Sequence, residues 1–89
     1  MKERYLEVTF RDGKPFTAYL YLPRGADERS VRTEEVGHGM LIDYGPAGRP
    51  IGIELTAPAH VTLERLNAVL KRFNMPPLEE KELAPLAAA

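Results

Sequence analysis

Alternation of apolar and polar positions runs through the first two thirds of the chain. In YLEVTF (5–10) and PFTAYLYL (15–22), aromatic and β-branched residues recur with the two-residue period of a strand. Between them, Asp12-Gly13 supplies two residues that tolerate positive φ, as a two-residue hairpin turn requires. Pairing Arg11 with Lys14 and continuing without interruption places Leu6, Val8 and Phe10 on one face with Thr17, Tyr19 and Tyr21. Phe16, Ala18, Leu20 and Leu22 then share the other face with Tyr5, Glu7 and Thr9. The second strand is apolar on both sides, which predicts cover on both.

PRGADERS (23–30) reads as a loop, and three further strands follow it: VRTEEV, MLIDY and IGIEL. With Asp43 opposite Gly52, Ile42 meets Ile53 and Met40 meets Leu55. Met40, Ile42, Tyr44, Ile51, Ile53 and Leu55 then form one apolar face, while Asp43, Glu54 and Leu41 point the other way. The period changes to that of a helix after Thr62, a good N-cap, with Val61 and Leu66 at the spacing of a hydrophobic staple. Leu63, Leu66, Leu70 and Phe73 fall on one stripe with Val69 at its edge, and Lys71 and Arg72 suit the negative end of the helix dipole. Asn74 and Pro76-Pro77 stop it. LEEKELAPL offers a short second helix, limited by Pro85.

The expected fold is therefore α+β: an antiparallel β-meander of about five strands, one C-terminal helix packed on its apolar face, and a short second helix. One domain is expected over 1–89, with the meander at 1–56, the packing helix at 57–75 and a Pro/Leu/Ala tail at 76–89.

Eighty-nine residues bury little surface, and with no cysteine there is no disulfide framework or thiolate zinc site to compensate. Dimerisation is the remaining source of buried area, so a homodimer is expected. Twelve basic and thirteen acidic residues alternate along the chain without a basic stripe, which argues against nucleic acid as a partner. No apolar run exceeds five residues, far short of the roughly 20 that span a bilayer. MKERYLEV has charge but no apolar core, so no secretory signal is expected and the cytoplasm is the expected compartment.

Asp43 and Glu54 are the residues closest to a catalytic pair. Alternation assigns them to the wet side of a half-buried sheet, a placement that needs no chemistry. His38, between two glycines at a turn, and His60, before the helix cap, read as exposed bystanders. Two isolated histidines do not supply the three or four convergent ligands of a metal site, so no metal and no cofactor is expected. GHGMLIDYG lacks the spacing of a phosphate-binding loop and leads into a strand. Tyr19, Tyr21, Phe10 and Phe16 could form a base-stacking platform, but core packing is the commoner fate of strand aromatics.

Tyr19 to Leu22, Thr33, Glu35, Val36, Gly39, Asp43, Tyr44, Gly48, Gly52, Ile53 and Glu54 form an ordered set of positions within residues 16–56. In these positions the chain resembles the small bacterial proteins of the domain of unknown function 2283 family. The turn reads GPAG where the family has an acidic D-x-D-G form, which argues against a cation there. The family has no established activity. The resemblance implies an antitoxin-like or partner-binding role by analogy and assigns no catalytic residue.

The leading expectation is a non-enzymatic protein-interaction module, homodimeric or bound to another small protein. Its interaction surface is expected at Leu6, Val8, Phe10, Tyr19, Tyr21, Asp43 and Glu54. The alternative is a small hydrolase or metal-dependent enzyme using Asp43, Glu54 and His38, which requires those three side chains to converge.

Overall fold

The computed structural model describes residues 3–25 and 27–87; residues 1, 2, 26, 88 and 89 of the expected segments lie outside the described residues. Five antiparallel strands form one sheet: β1 (Tyr5–Arg11), β2 (Lys14–Tyr21), β3 (Arg32–Gly37), β4 (Met40–Tyr44) and β5 (Pro50–Leu55). One side of the sheet is covered by α1 (Leu63–Arg72), a 3-10 turn at Pro58–His60, and a 3-10 turn at Glu80–Leu83 that runs into α2 (Ala84–Ala87). The α+β architecture is as expected. The order within the sheet, β1-β2-β5-β4-β3, is not sequential. β2 pairs with β5, so the 22–31 connection passes the ends of β5 and β4 to start the far edge. Composition explains the placement. β5 is buried at almost every position and suits the centre, whereas RTEEVG in β3 carries charge on both faces and suits an edge.

Asp12 (φ 53) and Gly13 (φ 77) make the tight turn that the sequence signals, and Arg11 pairs with Lys14. The pairing does not continue unbroken. Phe10 meets Pro15 but Thr9 meets Thr17, so Phe16 is an extra residue in β2. A bulge of one residue reverses the face of everything beyond it. The expected faces of this hairpin are overturned. Leu6 lies opposite Leu20 and Val8 opposite Ala18, on the covered side. Tyr19 and Tyr21 lie opposite Glu7 and Tyr5, on the open side. Phe16 is the residue left exposed. The β4–β5 register is the expected one from Met40 to Asp43, with Asp43 opposite Gly52, Ile42 opposite Ile53 and Met40 opposite Leu55. It then shifts: Tyr44 meets Pro50 rather than Ile51, so Ile51 is an extra residue in β5 and, though buried, stands outside the core cluster that Met40, Ile42, Tyr44, Ile53 and Leu55 share.

The core joins Ala18, Leu20, Met40, Ile42, Tyr44, Ile53 and Leu55 from the sheet to Leu66, Leu70 and Leu78 from the covering layer. Thr62 caps α1 as expected, its hydroxyl accepting a bond from the Arg65 N–H at 3.1 Å. Asn74 (φ 59) closes the helix: its N–H donates to Lys71 and the Met75 N–H to Leu70, a Schellman arrangement. Phe73 is the C-cap rather than a full stripe position; it is half-buried, edge-on to Tyr44. The tail folds back on its own subunit. The Asn67 amide on α1 accepts from the Leu78 N–H (2.7 Å) and donates to the Leu78 carbonyl (3.2 Å), which seats Leu78 in the core. Leu83 and Leu86 pack beyond it. Among the described residues no helix is long and apolar enough to cross a membrane.

Candidate functional site

Among the described residues nothing covers the side of the sheet away from the helices, and this side gathers three tyrosines and several carboxylates. Strand register orders it in two rows. Tyr5, Tyr21, Gly52, Asp43 and Thr33 form one; Glu7, Tyr19, Glu54, Leu41 and Glu35 form the other. A shallow depression of about 400 Å³ lies between them, lined by Glu7, Thr17, Tyr19, Tyr21, Asp43 and Glu54, with Arg24 at its margin.

One hydrogen-bonded bridge crosses four strands here. Tyr19 on β2 sits opposite Glu54 on β5, but its ring lies diagonally over Gly52. Its hydroxyl donates to Asp43 Oδ2 on β4 at 2.8 Å. The Thr33 hydroxyl on β3 donates to Asp43 Oδ1 at 2.6 Å. Gly52 makes this geometry available. A Cβ at that position would lie 1.9 Å from the Tyr19 hydroxyl oxygen and 2.3 Å from Cζ, so any side chain would push the ring away. Burial, and then the bond to Asp43, push the Tyr19 hydroxyl well above the ordinary tyrosine range. Tyr21 is raised as well, by burial first and then by the Glu7 carboxylate, to which it donates a longer bond of 3.4 Å. Tyr5 stacks on Tyr21 at 4.6 Å, Tyr19 meets Tyr21 edge-on at 4.7 Å, and the Arg24 guanidinium lies 5.1 Å from the Tyr21 ring centre. The three tyrosines form a neutral aromatic platform bordered by carboxylates.

The residues picked out from sequence therefore divide. Tyr19, Tyr21, Asp43 and Glu54 come together on the open face. Leu6 and Val8 point to the covered side, and Phe10 continues their side of β1, so the contiguous apolar patch expected from these five strand residues does not form. Among the described residues nothing covers the open side of β2, where Tyr19 and Tyr21 bond through their hydroxyls to Asp43 and Glu7. Asp43 and Glu54 share a face as expected and are diagonal neighbours, about 7 to 8 Å apart by strand geometry. Asp43 is nevertheless no bystander, since both of its oxygens accept bonds from side chains.

His38 does not converge with them. It occupies the β3–β4 turn at φ 54, exposed, with about 10 Å of strand between the turn and Asp43. His60 is exposed in the 3-10 turn before α1. Among the described residues no three His, Cys, Asp or Glu side chains gather as metal ligands would.

Tyr5, Glu7 and Thr33 escape a reading of the sequence because their part depends on the bulge and on the strand order. Gly52 did carry a signal: a glycine inside an otherwise apolar strand marks a close approach. No curated protein and no solved structure matches the chain. Residues 17–57, which run from within β2 through β5 and contain Tyr19, Thr33, Asp43 and Gly52 together, match the family described as Protein of unknown function (DUF2283).

Proposed function

We propose that this chain is a non-enzymatic protein-interaction module whose open sheet face docks a cationic segment of another small protein. The observation that carries the reading is the joining of a tyrosine platform to the carboxylates of Glu7, Asp43 and Glu54, held in place by the Tyr19–Asp43–Thr33 bridge. Carboxylates pair with Lys and Arg, and tyrosine ring faces attract the same cations. Tyrosine also gives a large contact area at low cost in side-chain entropy. Three carboxylates against one guanidinium give the depression a negative field, which steers a cationic partner toward it. On the family resemblance, the setting proposed is the bacterial cytoplasm and the role antitoxin-like. Self-association into a homodimer belongs to the same reading, through a surface other than the open face, because two such faces would oppose carboxylate to carboxylate.

Affinity capture from the native organism tests this, with the wild-type chain beside a Glu7→Lys, Glu54→Lys variant of unchanged circular dichroism. A basic protein retained by the wild type, released by salt and lost by the variant is the expected result. A partner retained equally by both, or one that is acidic, overturns the reading.

A further inference from the structure

The two edges of the sheet are defended differently. At β3 the covered-side positions opposite Ile42 and Tyr44 are Glu34 and Arg32, charges pointing inward, and Val36 forms a bulge on the edge strand itself. Both features discourage pairing with another strand. At β1 the covered-side residues are Leu6 and Val8, both apolar, and the hairpin bulge falls on β2, so the outer strand runs unbroken for seven residues. Apolar rows that begin in the centre of the sheet therefore run out at β1 without a terminating charge. Exposed apolar surface gathers at the same place. Of the large hydrophobic residues most open to solvent among the described ones, Tyr5 (50%), Phe10 (48%) and Phe16 (49%) belong to this hairpin, and only Val31 lies elsewhere.

We propose that β1 pairs antiparallel with β1 of a second copy, about a two-fold axis through Val8. Val8 is the middle residue of Tyr5–Arg11, and the sequence is self-complementary around it. This register sets Leu6 opposite Phe10 on the covered side, burying both. On the open side it sets Glu7 opposite Thr9 and Tyr5 opposite Arg11, so a carboxylate meets a hydroxyl and a ring meets a guanidinium. Like charges never face each other. A two-fold axis one residue earlier would put Glu7 against Glu7, which is destabilising. One residue later, the axis would leave Tyr5 and Leu6 beyond the paired region. The isologous contact is the commonest kind in small homo-oligomers. It yields a continuous double sheet with both open faces on the same side. The inference rests on the self-association proposed above and names the surface that performs it.

The absence of cysteine makes the test clean. Single-cysteine variants Val8→Cys and Thr9→Cys are oxidised to test for a direct disulfide, which reaches directly opposed residues but not diagonal ones about 7 to 8 Å apart, and the wild type and Phe10→Lys are compared by sedimentation. The expected results are a wild-type dimer, efficient cross-linking through position 8 with little through position 9, and a shift of Phe10→Lys to monomer with its circular dichroism retained. A wild type that remains monomeric at the highest attainable concentration overturns both self-association and this surface. A dimer that neither cross-links through position 8 nor responds to Phe10→Lys overturns the β1 surface alone.

Discussion

At the scale of single residues, Asp43 and Glu54 look alike in sequence and differ in the folded protein. Both lie on the open face, but Asp43 accepts hydrogen bonds from Tyr19 and Thr33, whereas Glu54 sits beside the Tyr19 ring. Asp43→Ala leaves the half-buried Tyr19 hydroxyl without its acceptor, and the expected loss is about 1 to 3 kcal/mol. Glu54→Ala is expected to stay within about 0.5 kcal/mol, as for an ordinary surface change. Urea denaturation of the two variants side by side checks the contrast, and equal losses would count against the bridge. Tyr19 adds a dependence on pH. Its hydroxyl is raised above the ordinary value of about 10, so on alkalinisation the unfolded chain loses this proton before the folded one does. The corresponding stability is complete below about pH 10 and falls as pH climbs toward the folded value. Between about pH 10 and 11 the urea midpoint of the wild type should fall more steeply than that of Tyr19→Phe. Parallel slopes would show that the proton on Tyr19 is not held by the fold.

At the scale of elements, the helix was legible because its signals are local. The Thr62 cap, the Leu66 and Leu70 stripe and the Asn74 stop all act within a few residues, and all stand as read. The first hairpin was half legible. Its turn was fixed by Asp12-Gly13, but the bulge at Phe16 depends on what the sheet must bury. Placing Leu6 and Val8 over the core, and the tyrosines opposite, satisfies both faces only if one residue is extruded. No local pattern announces that, and a slip of one residue was enough to turn Leu6 and Val8 away from Tyr19 and Tyr21. Asn67 escaped for a related reason, since a polar residue on a helix reads as solvent-facing until the tail it holds is seen. The fully buried Leu66 and the half-buried Phe73 yield a graded expectation. Leu66→Ala should cost about 2 to 5 kcal/mol. Phe73→Ala should cost less, because its site at the helix end can collapse and is partly wet. Chemical denaturation giving the reverse order would mean that the core is centred at the end of the helix rather than its middle.

At the scale of the whole molecule, the covered and open sides of the sheet do different work. The covered side is closed within the chain. Arg4 donates hydrogen bonds to the Pro76 and Pro77 carbonyls, the Asn67 amide pairs with Leu78, and Leu83 and Leu86 finish the apolar layer. Arg72 on α1 bonds the Glu34 carboxylate at 3.0 Å, tying the helix to the β3 edge. The tail and α1 are thereby engaged within the chain, and the contacts proposed above fall on the open face and the β1 edge. The segment that matches the family, 17–57, omits α1 and the tail yet contains the whole Tyr19–Asp43–Thr33 bridge with Gly52 beneath it. If the open face recognises cationic protein segments, as proposed, it binds a basic peptide in isolation. The most direct measurement is an NMR titration of the wild-type chain with a lysine- and arginine-rich peptide, and with an acidic peptide of equal length as control. Saturable, salt-sensitive shifts at Tyr5, Tyr19, Tyr21, Glu7 and Glu54 with the basic peptide alone are the expected result; shifts confined to the helical side, or no binding of the basic peptide, would contradict it.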